Sequence, residues 1–210
     1  IYLGALSALI GGILGIGAAI YLVFYSTGKR FSVPVNMAIT GLSGIPSILF
    51  GLVGYTLLIY RFGLSRSLLC SSLCVAAMII PFVAIRAKKI LDEKGREYMK
   101  TSLSLGLSRE YALRKMILPA CFVELLGTVA LGMAYGMGAV APILYTGAVM
   151  QADVPHSLSD PFMSLPYHLY ILVNNGFSLD YAYGTAFVLM LFLLIIQLIC
   201  KFITYLRKDN

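Results

Sequence analysis

Read for hydrophobicity alone, the chain is five long apolar runs, at 1–25, 36–60, 68–85, 120–144 and 181–205, separated by short or polar connections. A hydrocarbon core of roughly 30 Å needs about 20 helical residues to cross it, and each run meets or nearly meets that length. Helices satisfy their own backbone in lipid, so the pattern predicts an all-α polytopic membrane protein with five transmembrane helices. Ile1 already lies inside the first run, which predicts one further N-terminal helix missing upstream. The connections are 26–35, 61–67, a polar stretch from 86 to 119, and a long loop at 145–180.

Small residues and prolines punctuate the runs. The first carries Gly11 and Gly15 in a GxxxG pair, beside Gly12 and Gly17, and the fourth carries Gly132 and Gly136, beside Gly127 and Gly138. Such spacing lets helix backbones approach closely, and close packing is its predicted use. In the second run Pro46 removes a backbone donor and Ser47 can satisfy the freed carbonyl, so a kink is expected there. The third holds Cys70 and Cys74 beside Ser71 and Ser72, with Pro81 further on. These cysteines, like Cys121 and Cys200, lack metal-ligand spacing and read as small packing residues. Glu124 is the ionisable group clearly inside an apolar run, which makes it a functional hypothesis. Its position about one turn inside the interface favours a wet carboxylate, or one paired with a neighbouring arginine.

In the long loop, Asp160-Pro161 predicts the start of a short interfacial helix through Leu165 and Tyr170, stopped by Asn174-Asn175-Gly176. Ser178 is the expected cap of the last span. His156 and His168 have no carboxylate or thiolate constellation around them and read as surface residues rather than metal ligands.

Composition agrees with a bilayer as solvent: 60% hydrophobic residues, 12% charged and a mean hydropathy of +0.89 exclude an ordinary soluble domain. Charge then sets orientation. Fourteen of the 16 Lys and Arg fall on one side of the five-span topology: Lys29, Arg30, nine from Arg86 to Lys115, Lys201, Arg207 and Lys208. Arg61 and Arg66 fall on the other, so the 86–119 stretch and the C-terminus are predicted to be cytoplasmic and the 145–180 loop extracytoplasmic. The net charge of +7 thus reflects topology rather than nucleic-acid binding.

The 100–119 stretch, KTSLSLGLSREYALRKMILP, is the least membrane-like part of the chain. Asp92 and Glu93 suit the front of a helix over 92–105, where the dipole favours carboxylates, and Gly106 suits its left-handed cap. Ser108 can cap a second helix, with Glu110 in its first turn, running from Arg109 into the membrane at Pro119. Two short helices meeting at a glycine make a protruding knob.

The spacing of Gly106, nine residues, Met116, one residue, then Leu118 and Pro119 resembles the EAA loop of ABC-importer permeases. Together with GIPSILFG at 44–51, APILYTG at 141–147 and DPFMSLP at 160–166, it resembles the PstA permease family of phosphate ABC importers over nearly the whole chain. The resemblance implies a type I, MetI-like permease bundle forming a single transmembrane domain over 1–210, with a cytoplasmic coupling loop at 92–118. It implies six helices, a homologous PstC-like permease partner, two PstB-like ATPase subunits that bind the ATP and Mg, and a PstS-like external solute-binding protein. It assigns Lys100, Thr101, Ser102, Gly106, Met116, Leu118 and Pro119 to ATPase coupling, and Tyr135, Ala139, Pro142 and Thr146 to the translocation path.

Two departures from the family pattern stand out. Lys100, Thr101 and Ser102 occupy the place where the EAA pattern opens with Glu-Ala. Tyr135 and Ala139 occupy family Arg and Glu positions, four residues apart on one expected helix face, and a tyrosine offers an oxyanion one neutral hydroxyl where arginine offers paired charged donors. No Walker A sequence occurs, so the expectation is a transport subunit without its own ATPase site and without a cofactor in this chain. Permease for another small solute or oxyanion is the alternative within the class. An ion-coupled secondary transporter would need ionisable residues deep in its helices, and a membrane-embedded enzyme would need a nucleophile, metal or acid–base cluster.

Overall fold

A computed structural model describes residues 1–26, 29–176 and 178–206, without the side chains at 29–31 and 203–206; the cations at 207 and 208 lie outside the described residues. The α-helices are α1 (Tyr2–Ile20), α2 (Lys29–Ser43), α3 (Ser47–Gly54), α4 (Leu68–Ile90), α5 (Arg96–Ser104), α6 (Arg109–Ala112), α7 (Leu118–Met137), α8 (Ala141–Leu144), α9 (Leu165–Asn174) and α10 (Leu179–Leu206). Among the described residues, four continuous helices are long and apolar enough to cross a membrane: Tyr2–Tyr25, Leu68–Ser104, Arg109–Met137 and Leu179–Phe202. The second run supplies a fifth span if its bent pair of helices counts as one.

The centre of the bundle is α4, packed between α1 and α7. Both GxxxG pairs press on the same two residues of α4. A Cβ on Gly11 would lie 3.0 Å from Ile79 and one on Gly15 2.9 Å from Val83, while one on Gly132 would lie 3.0 Å from Ile79 and one on Gly136 2.8 Å from Ile79. Lipid tails are as apolar as these side chains, so close van der Waals fit, which the glycines permit, is what holds the three helices together. Two buried clusters result. One, at the end here termed the far end, joins Leu3, Leu68, Val75, Ile79, Ile143, Phe162 and Tyr167. The other, at the knob end, joins Ala19, Phe24, Leu91, Met99, Leu113, Ile117 and Cys121.

Four predicted elements differ from those observed. The second run is broken rather than kinked: α2 and the segment Ser47–Arg61 meet at 102°. Pro46 takes an extended conformation (ψ 135°) as the residue preceding α3, and the Ser47 hydroxyl caps neither helix end. A proline there cannot donate to the α2 ladder and would clash with it, so α2 stops at Ser43 and turns through Gly44. Ser47–Arg61 is about 22 Å long at 1.5 Å per residue, too short to cross alone.

Second, no helix begins at 92. α4 runs through a π turn, Leu91–Gly95, directly into α5, making one helix from Leu68 to Ser104. Asp92 and Glu93 therefore face no free N-terminus and pair along the helix instead, Asp92 with Arg96 at 2.6 Å and Glu93 with Lys89 at 3.9 Å. Third, the fourth run stops at Met137 rather than 144. Gly138 closes α7, and Pro142, which could not donate to a continued ladder, sits at the start of the short α8.

The long loop also begins its helix later than expected. Ser164, not Asp160, caps α9, accepting from the Tyr167 amide at 3.4 Å, with Pro166 in the first turn. Asp160 instead accepts from the His156 and Ser157 amides at 3.0 and 2.7 Å, closing the turn before it. The cause is Phe162, which is buried in the far-end cluster and exchanges backbone hydrogen bonds with Gly147 and Val149, holding 160–162 extended. Gly176 ends α9 with φ +65°, and Ser178 caps α10 through the Tyr181 amide. His168 is less exposed than expected of a surface residue and bonds Thr185 of α10 at 3.1 Å.

Candidate functional site

The knob is built from α5 and α6 between two π turns, Leu91–Gly95 and Leu113–Ile117. Gly106 has φ +76°, and nothing lies within 4 Å of where its Cβ would stand. Its amide bonds the Leu103 carbonyl at 3.0 Å and the Leu107 amide bonds the Ser102 carbonyl at 3.1 Å, the paired bonds of a Schellman cap. Glycine is therefore required there by backbone conformation alone. Ser108 starts α6 by accepting from the Tyr111 amide at 3.3 Å.

The predicted coupling residues divide into two groups. Ser102 is wholly buried, donates to the Tyr98 carbonyl at 2.7 Å and touches the Met116 sulfur at 3.0 Å, so two residues of the motif fasten the arms of the knob to each other. Leu118 is half-buried behind them, whereas Lys100, Thr101, Gly106 and Pro119 are exposed. The tip also presents Leu103, Leu105 and Tyr111, with Leu105 71% exposed. Leucines flanking a glycine within a polar, basic stretch were the available sequence signal for this apolar tip.

At its root the knob is braced. Gly95 of the first π turn packs against Phe24 and against Ile117 of the second. Lys94 forms an ion pair with Glu124 of α7, and Thr128 donates to the Glu124 carbonyl at 2.9 Å. Glu124 is thus paired, with a lysine from the preceding span rather than with an arginine.

The other three motifs quoted above meet at the far end. Gly51 of α3 lies against the backbone of Ala141 and Pro142, and Gly54 against Cys74 and Thr146. Thr146 donates to the Pro142 carbonyl at 2.8 Å and shares a 3.0 Å hydrogen bond with Ser71 of α4. Gly147 sits directly on the Ser67 backbone and Ser71, leaving no room for a side chain, and its carbonyl accepts from the Phe162 amide at 3.3 Å. Pro142 and Thr146 are fully buried in this chain and act as a clip joining α3, α4 and the 145–164 loop.

Tyr135 and Ala139 do not share a helix face. Tyr135 is on α7, 50% exposed, with its ring stacked on Phe82 of α4 at 5.6 Å; Ala139 lies beyond the end of α7, partly buried against the far-end cluster. The break at Gly138 separates them. Among the described residues no three His, Cys, Asp or Glu side chains come together as a metal site.

No family model matches the chain. Individual proteins do. Phosphate transport system permease protein PstA 2 of Mycobacterium tuberculosis, and its counterpart in Mycobacterium bovis, are 32% identical over 203 residues, covering 95% of this chain and 67% of theirs. A probable phosphate transport system permease protein PstA of Methanocaldococcus jannaschii is 27% identical over 167 residues, 79% of this chain and 58% of its own. Among solved structures, a chain of the MetNI methionine ABC transporter in an inward-facing conformation superposes with a TM-score of 0.76 at 16% identity, over 97% of this chain and 90% of that one. An amino acid ABC transporter with histidines gives 0.71 at 17%, over 97% and 88%. The fold is therefore the all-α, MetI-like importer bundle expected from the sequence, in a multi-pass membrane protein. By its identity to PstA 2 over nearly its whole length, the chain belongs to the PstA family of phosphate transport system permease proteins.

Proposed function

We propose that this chain is the permease subunit of an ATP-driven, binding-protein-dependent importer of inorganic phosphate. Family membership supports the transport role, and the observation that carries the coupling role is the knob. It is a compact helical projection with a Schellman-capped glycine at its apex, an exposed apolar tip at Leu103 and Leu105, and exposed Lys100 and Arg109 beside it. An apolar tip flanked by Lys100 and Arg109 fits a groove on a partner subunit that pairs apolar surface with acidic side chains. In this reading two PstB-like ATPase subunits bind ATP and Mg and grip the knob, a PstC-like permease completes the path, and a PstS-like protein delivers phosphate at the far end.

The charge asymmetry supports a cytoplasmic knob. α1 ends, α4 and α7 meet the loop, and Lys201 of α10 lines the same cavity as Arg86, all at the knob end, while Arg66 precedes α4 at the far end. For the path we assign Tyr135 to the wall. Ala139, Pro142 and Thr146 shape it from behind by fixing the turn that follows α7.

Gly106→Leu tests the coupling role. A side chain at a left-handed position costs about 1–2 kcal/mol, small enough for insertion to persist, and it adds bulk at the contact. The expected outcome is a normally inserted subunit whose complex loses phosphate-stimulated ATP turnover. Full turnover in the reconstituted mutant would refute this role for the knob.

A further inference from the structure

Between α4, α7 and α10, at the knob end, lies a cavity of about 630 Å³. Its walls carry Arg86, Lys89 and Glu93 from the α4 side, Glu124 from α7 and Lys201 from α10. The charges sort by partner. Glu124 is bound to Lys94, and Glu93 lies 3.9 Å from Lys89. Among the described residues, neither Arg86 nor Lys201 has a carboxylate within salt-bridge distance.

Arg86 is held by an aromatic platform. Its guanidinium lies 5.4 Å from the centre of the Phe82 ring, which is itself stacked on Tyr135. Such a contact orients the planar fork and leaves its N–H groups available for bidentate binding of an oxyanion. Lys201 adds a second cation from a different helix, so the cavity as it stands sets two positive charges in walls that are otherwise largely neutralised. An anion bound to both joins α10 to α4.

We propose that this cavity binds a phosphoryl oxyanion through Arg86 and Lys201. Inorganic phosphate and the headgroup of an anionic lipid present the same chemistry, and the apolar wall at Ile90 and Leu131 leaves room for the second. The site goes beyond the import reading: neither Arg86 nor Lys201 is assigned to the path, only Tyr135 behind the Phe82 platform is shared with it, and occupancy is read without ATP or an external binding protein.

The test is thermal unfolding of the purified membrane complex in nanodiscs of three kinds: phosphatidylcholine alone, the same with inorganic phosphate titrated in, and a mixture with phosphatidylglycerol. At least one probe should stabilise the wild type, and Arg86→Gln and Lys201→Gln should each weaken the response to that probe by about tenfold or more, the loss expected for a hydrogen-bonded charge. A response to phosphate alone assigns the free anion, a response to phosphatidylglycerol alone assigns the lipid, and a response to both assigns the shared headgroup chemistry. If Arg86→Gln does not assemble, Arg86→Lys, which keeps the charge and loses the fork, and Lys201→Gln at the exposed end of α10 carry the comparison. The proposal is overturned if neither probe stabilises the wild type, or if the Lys201→Gln complex responds as strongly as the wild type.

Discussion

Thr146→Val probes the far-end clip. Valine nearly matches threonine in volume, so the change opens no cavity and isolates the hydroxyl. That hydroxyl has one proton, and it is committed to the Pro142 carbonyl at 2.8 Å; the 3.0 Å contact with Ser71 must then be a bond that Ser71 donates. Removing the threonine oxygen therefore leaves two buried groups without this partner, the Ser71 hydroxyl and the Pro142 carbonyl. At about 1–3 kcal/mol for each stranded group, and with membrane hydrogen bonds at the low end of that range, the expected loss is about 2 kcal/mol. Ser71→Ala should cost less, about 1 kcal/mol, because the Thr146 proton keeps its acceptor. The double mutant has no stranded serine, so it should be about 1 kcal/mol more stable than the sum of the single losses implies. Helical content followed through thermal or detergent unfolding reads this directly; for a chain of this size each kcal/mol corresponds to about 2–4 °C. Strict additivity of the two single mutants would refute the assignment of Ser71 as donor to Thr146.

The Lys94–Glu124 pair, with its side chains 48% and 31% exposed, should contribute at most about 1 kcal/mol. Lys94→Glu should lower the unfolding temperature, and adding Glu124→Lys should restore it; no recovery in the swapped pair would show that the two residues do not act together. Topology is checked in a background lacking the four native cysteines. In intact cells an impermeant thiol reagent should label His156→Cys and leave Lys100→Cys unmodified, and the reverse pattern would invert the orientation.

The parts of the fold legible in the sequence were those decided within a few residues. Gly106 and Ser108 announce the knob because a left-handed cap and a serine cap are local choices. The glycine pairs announce close approach, although only the three-dimensional structure shows both converging on Ile79 and Val83. What was not legible depended on distant partners. Hydropathy cannot see the break at Gly138, since apolar residues continue beyond it. Pro46 signals a disruption, but the 102° turn depends on α3 lying against 141–147, some ninety residues away. Asp160-Pro161 and Ser164 with Pro166 are comparable helix starts on paper, and the burial of Phe162 decides between them. For the same reason Pro142 and Thr146 read as path residues by resemblance, while the chain itself uses them to hold its far end together.

Uptake tests the central claim most directly. The complex is reconstituted in proteoliposomes with the partner permease, the ATPase subunits and the external binding protein, and radiolabelled phosphate is supplied on the far-end side with ATP on the knob side. Phosphate should accumulate only when ATP, binding protein and this chain are all present. Accumulation without ATP, or ATP-driven accumulation of a different solute with phosphate excluded, would contradict the account.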